Sequence, residues 1–457
     1  MGYLPNTNWS SDLELLDLSH CGLRGPIPAS FRNLTQIISV DLHGNSLEGQ
    51  IPNELSVVII LKNKLTRNIP SSICNLSSLG VLDLSENSLS GTILDFLGNF
   101  SYLKLLDLQS NNFIGKIPNS FMNYSELSHL LLNDNQLEGL VPPSLANCTL
   151  LELLNLGNDK LTNRFPRWLA SLPSLQVLIL IFSRFCGSLP HSIASSSFST
   201  LRIINFSRNK VTGILSTKLL RNLEAMKDKP KDWLYSHFCG IIEIPVNVTM
   251  KRLETKLIKT VGIFASMDLS NNEFCGKNPK AIGKLIFLQM LNFSHNNFSD
   301  PIPTSFRNLV ALESLDLSSN KLSGRIPSQV TKLTFFEVLN FSNNNLIGKF
   351  LMGINTIRLI MIPIVVTWYC AGFEIPLFWQ VVMMGYGSGV VLGLSLGYIV
   401  FTTGKPWWFV KKVERDWQYN FTSLEHDLKH LHTGVAHGRG LVEPKSSSIR
   451  KKAILRV

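Results

Sequence analysis

One short pattern recurs thirteen times along this chain, and at nine of the twelve intervals the spacing is 24 residues. The clearest copy is LDLSSNKLSGRIP, from Leu315 to Pro327. Close variants are LDLSENSLSGTI from Leu82, LDLQSNNFIGKIP from Leu106 and LNFSHNNFSDPIP from Leu291. With the asparagine as anchor, the copies sit at Cys21, Asn45, Asn63, Asn87, Asn111, Asn135, Asp159, Ser183, Asn209, Asn272, Asn296, Asn320 and Asn344. Self-similarity at such a period predicts a stack of units that each touch only their neighbours and together build a long concave surface.

The frame LxxLxLxxN reads as a short strand followed by a tight turn, the unit of a leucine-rich repeat. In the Asn320 copy, Leu312, Leu315, Leu317 and Leu322 point inward, while Asp316, Ser318 and Ser319 face out on the concave side. The predicted fold is therefore an α/β repeat solenoid, a superhelix with parallel strands on its concave face. The anchor amide also turns inward, where it must satisfy backbone groups that the bend leaves unpaired. Cys21, Asp159 and Ser183 are weaker occupants of that column, which predicts local irregularity. Only 18 residues separate Asn45 from Asn63, so that unit has lost part of its outer segment.

A GxIP motif follows many of the anchors, as at Gly49, Ile51 and Pro52, at Gly115, Ile117 and Pro118, and at Gly324, Ile326 and Pro327. Glycine permits a turn with positive φ, and proline fixes φ where the outer segment starts. With this motif the chain resembles the plant leucine-rich-repeat receptor-like proteins, the kinase-less cell-surface family that includes disease-resistance receptors. The resemblance covers roughly residues 1 to 349 and 381 to 416. It implies about nine repeats over 1–213, an island domain over 214–262, four repeats over 263–350, a juncture over 351–380, a transmembrane helix over 381–403 and a short tail over 404–457. The island, marked by Asp228, Lys229, Pro230, Lys231 and Asp232, is a candidate part of the ligand site. The N-terminus, MGYLPNTNWSSDLELLDLS, lacks the basic and apolar regions of a signal peptide and the cysteine-paired cap of the family, so the chain is expected to be an N-terminally truncated member.

From Val381 to Phe401 no charged residue occurs, and 21 helical residues span about 31 Å against a hydrocarbon core of about 30 Å. Trp379, Trp407 and Trp408 flank the run, and Lys405, Lys411, Lys412 and Arg415 place the C-terminus in the cytosol. Gly385, Gly389, Gly393 and Gly397 share one helical face, a surface for close packing against a second helix. In the family such a face is associated with an adaptor or co-receptor kinase. The tail is too short for a kinase and carries no phosphate loop, HRD or DFG motif. The preceding juncture departs from the acidic family pattern, with Leu359 to Phe373 apolar but too short for a span.

The formal charge is +11, but the tail from Lys405 holds 11 basic residues against 5 acidic ones, which suits an anionic inner leaflet better than nucleic acid. The seven cysteines show no metal-ligand spacing, and Cys74 and Cys148 are read as core-filling. Twelve Asn-x-Ser/Thr sequons occur. Those at Asn33, Asn75, Asn99, Asn123, Asn147 and Asn247 are candidate glycan carriers, whereas Asn205, Asn292 and Asn340 fall on concave strands where a glycan would block ligand.

No catalytic constellation stands out, and no cofactor or metal is expected. The expected function is a membrane receptor that binds an extracellular peptide, protein or glycan ligand and signals through a partner kinase, in plant defence. Its candidate contacts are Asp83, Asp107, His129, Asp134, Arg208, His295 and Asp316, taken as exposed strand residues. Two alternatives are a soluble cell-wall inhibitor of a microbial hydrolase and a non-functional fragment with an uncapped core.

Overall fold

The computed structural model describes residues 2–347 except 7–8, 11, 35–36, 38, 50–56, 76–78, 123–124, 190–196, 228–245, 251–252, 258–263 and 328–337. The expected juncture, membrane helix, glycine face and tail lie outside the described residues.

Every anchor is preceded by a three-residue strand, and the thirteen strands pair in parallel and in chain order, from Leu15–Asp17 to Val338–Asn340. The middle residue of each strand enters one continuous apolar core that runs from Leu4 to Leu322. A second parallel sheet of thirteen strands, from Arg24–Pro26 to Asn345–Ile347, forms from the residues just after the anchors. Here the motif glycine adopts positive φ, as at Gly324 with φ 73°. Arg67, Asn163 and Asp300 replace that glycine and take the same region, at φ 72°, 125° and 68°. An L residue is strained there, Asn least.

The convex segments correct the expected α/β class. Ala29–Asn33, Asp95–Asn99, Pro143–Asn147, Lys280–Lys284 and Thr304–Asn308 are 3-10 helices of five residues. About 24 residues per turn of solenoid, shared with two strands, leave too little chain for α-helical turns, and short pieces favour 3-10 geometry. Among the described residues the single α-helix is Thr217–Asn222, where Ser216 Oγ accepts from Leu219 N at 3.4 Å. Leu219, Leu220, Leu223 and Met226 join the same core as the repeats, so the solenoid continues to Met226.

The anchors form a ladder. Asn296 Oδ1 accepts from Phe274 N at 3.0 Å, and its Nδ2 donates to Leu269 O at 2.9 Å and to Phe293 O at 3.2 Å. Asn45, Asn63, Asn135, Asn209, Asn272, Asn320 and Asn344 bond in the same pattern. The 18-residue unit keeps it, with Leu47 N donating to Asn63 Oδ1 at 2.9 Å and Glu48 paired with Lys64. So does the interruption after Asn209. Ile204 pairs with Met267, and Val211 N donates to Asn272 Oδ1 at 3.0 Å across 61 residues. Within the interruption Val246–Met250 and Leu253–Leu257 pair as an antiparallel hairpin.

The weak anchors behave unequally. Asp159 Oδ1 accepts from Leu137 N at 2.9 Å, but Oδ2 is buried without a partner. Ser183 makes only long contacts, 3.4 Å, to Leu156 O and Ile181 O.

Candidate functional site: the concave face

Strand alternation sends the first and third residue of each strand to the concave face. Over the middle of the solenoid the first of these residues is mostly apolar, not polar as the repeat pattern implied, while the third is polar in most strands, as at Asp83, Asp107, Asn155 and Asn205. Ile59, Val81, Leu105, Leu131, Leu153, Val177, Ile179 and Ile203, with Phe264 and Met290, form an apolar cluster separate from the core. Leu105 and Ile203 are fully buried in it. Toward either end of the sheet the same positions are polar and more open, at Asp17, Ser39 and Asp41 and at Ser314 and Asp316. The face is thus an apolar stripe between two polar ends.

The candidate contacts do not all lie where expected. Asp83, Asp107 and His129 are on concave strands and close together, Asp83 opposite Asp107 and His129 opposite Leu105, but all three are buried. Asp83 Oδ1 accepts from Ser85 N and Oγ, at 3.0 and 2.7 Å. Asp107 accepts from Gln109 N and Nε2, both at 3.0 Å. Burial pushes Asp83 up to about 6, opposed by its bonds to Ser85. Burial, and then the charge of Asp83, raise Asp107 well above the usual carboxylate range. His129 lies beside Ser128 Oγ at 2.8 Å, and burial lowers it to about 4, so it is a neutral break in the stripe.

Asp134, Arg208 and His295 are exposed, but they occupy the turns after the strands, with φ 58°, 56° and 53°. Asp134 accepts from Asn133 Nδ2 at 2.6 Å and Asn158 Nδ2 at 2.7 Å, and the Arg208 guanidinium lies 5.7 Å from the centre of the exposed Phe182 ring. Asp316 is half-buried on its strand, accepting from Ser318 N and Oγ.

Arg202 was missed. It precedes the strand Ile203–Asn205, the last before the interruption, beside the fully buried Ile203. Its side chain is only 4% exposed, Nη1 has no hydrogen-bond partner, and burial lowers its pKa. A buried guanidinium nitrogen without an acceptor among the described residues is costly.

The sequons separate by place. Asn205, Asn292 and Asn340 end concave strands, and their Oδ1 atoms accept from Ser207, Ser294 and Ser342. Asn33, Asn75, Asn99 and Asn147 end convex 3-10 helices. Asn99 is exposed there, while Asn147 is half-buried and donates Nδ2 to Phe121 O at 2.9 Å. Asn247 lies on the hairpin, and Asn123 is outside the described residues. Cys148 is fully buried, with its thiol pushed up to about 11, but Cys74 is exposed at the rim of its convex helix rather than filling the core. Among the described residues no group of three or more His, Cys, Asp or Glu is placed to hold a metal ion.

Two stacked parallel sheets, 3-10 convex turns and an asparagine ladder define a plant-type leucine-rich-repeat solenoid. Leucine-rich-repeat family models match residues 12–34, 78–100, 102–124, 126–148 and 265–322. Over 96 residues the chain is 34% identical to Receptor-like protein 32 of Arabidopsis thaliana, a match spanning 20% of this chain and 11% of that protein. A solved TDR receptor superposes with a TM-score of 0.61 at 30% identity. The plant peptide hormone receptor RGFR1, solved in complex with RGF2, gives 0.60 at 27%. Both alignments cover 76% of this chain and 54% of the receptor, so the chain spans about half the length of these solved relatives. The chain carries leucine-rich repeats and over them is similar to plant leucine-rich-repeat receptors.

Proposed function

We propose that this chain is a cell-surface receptor-like protein without a kinase, which binds an extracellular ligand on its concave face and signals through a partner receptor kinase in plant defence. The observation that carries the reading is the apolar stripe of the concave strands, with the partnerless Nη1 of Arg202 in the residue before Ile203. An extended ligand, most simply a peptide, would lay apolar side chains along Val81 to Ile203 and bring an anionic group to Arg202. The solved complex of RGFR1 with RGF2 supports a peptide as ligand class. In this reading the island over 214–262 flanks the anionic end, residues 381–403 cross the plasma membrane, and Gly385, Gly389, Gly393 and Gly397 receive the helix of the partner. Asn33, Asn75, Asn99, Asn123, Asn147 and Asn247 then carry glycans in the secretory lumen.

The test is co-precipitation of a partner kinase with the tagged full chain in plant cells challenged with fractionated extracellular peptides of plant and microbial origin. Recruitment by a fraction, lost in Arg202→Gln and in Val177→Asp but kept in Asn99→Gln, is the expected result. Equal recruitment by all variants would remove the concave face from the reading. Leucines at Gly389 and Gly393 should abolish recruitment without changing membrane insertion, and an endoglycosidase mobility shift should accompany the wild-type chain.

A further inference from the structure

The ladder is incomplete at one rung in a way that a single proton would mend. Asp159 stands where its neighbours have asparagine, and it is 6% exposed. Its Oδ1 does what an amide oxygen does, accepting from Leu137 N at 2.9 Å. Its Oδ2, the counterpart of the amide nitrogen of the neighbouring anchors, is buried without a partner. The adjacent rungs show what belongs there. Asn135 Nδ2 donates to Leu108 O and Leu132 O at 2.9 Å each, carbonyls 27 and 3 residues upstream. Asn209 Nδ2 does the same toward Leu180 O and Phe206 O, at 2.7 and 3.0 Å. The carbonyls 27 and 3 residues before Asp159 are Leu132 and Leu156. A carboxylate has no proton to give them and sets oxygen against oxygen, whereas a carboxylic acid donates one hydrogen bond.

We propose that Asp159 is a proton-gated rung, which closes the ladder between the repeats of Asn135 and Ser183 when protonated and opens it when ionised. Burial raises the group to about 7, opposed first by the bond from Leu137 N and less by one from the Asn135 backbone, with the charge of Asp134 on the preceding repeat adding to the rise. The other charges nearby are Glu138 on the preceding flank strand, Lys160 and Arg164 on its own, and Arg184 on the following one, and all are exposed. The next rung cannot compensate, since Ser183 offers only a hydroxyl at 3.4 Å.

The sign follows from the raised value. An unfolded aspartate titrates near 3.8, so between about pH 4 and 7 the folded chain holds the extra proton. The stabilisation is complete below pH 4, declines as the pH rises toward 7, and is gone above it. The three repeats concerned carry Leu131, Leu153 and Val177 of the apolar stripe, so a ligand lying on that stripe, on the receptor reading above, would bind with proton uptake. The switch itself is a property of the ladder and needs no ligand.

The experiment is amide hydrogen exchange at Leu137, corrected for intrinsic rates, together with the melting temperature of the full chain in detergent from pH 5 to 8. Wild type, Asp159→Asn and Asp134→Asn are compared. Wild-type exchange at Leu137 should accelerate by up to roughly tenfold per pH unit from pH 5 to about 7 and level off above it. Asp159→Asn, which restores the residue of the neighbouring rungs, should stay protected throughout. Asp134→Asn should keep the transition and move its midpoint to lower pH. Parallel profiles for wild type and Asp159→Asn would overturn the proposal, as would an Asp159→Asn chain less protected than wild type at pH 8. Neither outcome depends on finding a ligand, so failure here is separable from failure of the receptor reading.

Discussion

The repeats next to the interruption differ from those farther away. At Asn296, Asn320 and Asn344 every rung is made in full, and so it is at Asn63 and Asn135. Among the described residues, half of the buried polar side-chain atoms without a partner lie between Asp159 and Asn278, the others being at Trp9, Ser30, Asn133 and Ser144. The rungs at Asn209 and Asn272 are nonetheless whole. Asp159 has an orphaned oxygen, Ser183 is too short for its place, Arg202 Nη1 lacks an acceptor, and Asn278 is buried with both amide atoms unpaired. A void of about 20 Å³ lies among Phe165, Phe198, Phe206, Leu215, Leu219 and Met267 in the same stretch. Local rules are broken together where a chain has something other than stability to provide, and the same stretch carries Val177, Ile179, Ile203 and Phe264 of the apolar stripe. Stability here is unevenly distributed, and the weaker part is the part assigned to ligand.

Substitutions on either side of that contrast should have opposite signs. The loss belongs to the regular part. Asn296→Ala removes three ladder bonds and leaves Phe274 N buried without a partner, while Leu269 O keeps its bond from Asn272 Nδ2 and Phe293 O that from Asn320 Nδ2, a loss of about 2 kcal/mol in urea unfolding. A change below 0.5 kcal/mol would mean that the ladder does not carry the fold. Next comes a gain in the faulty part. Asn278 fills the place that Ile117 and Ile302 hold in other repeats, so Asn278→Ile should add about 2 kcal/mol in the same assay. Ser183→Asn should add about 1 kcal/mol by giving Leu156 O a full donor. An increase in slope instead of midpoint would show that the denatured state had changed. The smallest gain lies outside the contrast altogether. Arg67→Gly relieves a positive φ of 72° far from the interruption and should add up to about 1 kcal/mol, observed as a rise in melting temperature.

The period alone was enough to place the concave strands, the anchors and the positive φ of the motif glycine. Other features left weaker traces. The second sheet escaped notice because a stretch such as KLSGR offers one inward residue and no alternation. The α/β class says nothing of which helix type the convex turns adopt, and only the available length decides between them. The stripe was hidden by its own composition. Leu130 and Leu131, or Leu105 and Leu106, read as one run of core leucines. Yet adjacent residues of a strand face opposite ways, so one of each pair had to lie on the concave side. That signal was present and unused. Arg202 left none, since nothing in its neighbours in the chain foretells burial without a partner.

The ladder bond from Val211 to Asn272 has a mechanical meaning. Seen as a spring, the solenoid passes load from rung to rung, and the hairpin of Val246–Met250 and Leu253–Leu257, whose strands pair with each other and join neither long sheet, hangs from it as a side branch. Pulling the ends of the solenoid apart would stretch the rungs and leave the branch slack. A branch off the load path can be lengthened, trimmed or rewritten without altering the pitch of the coil that carries it.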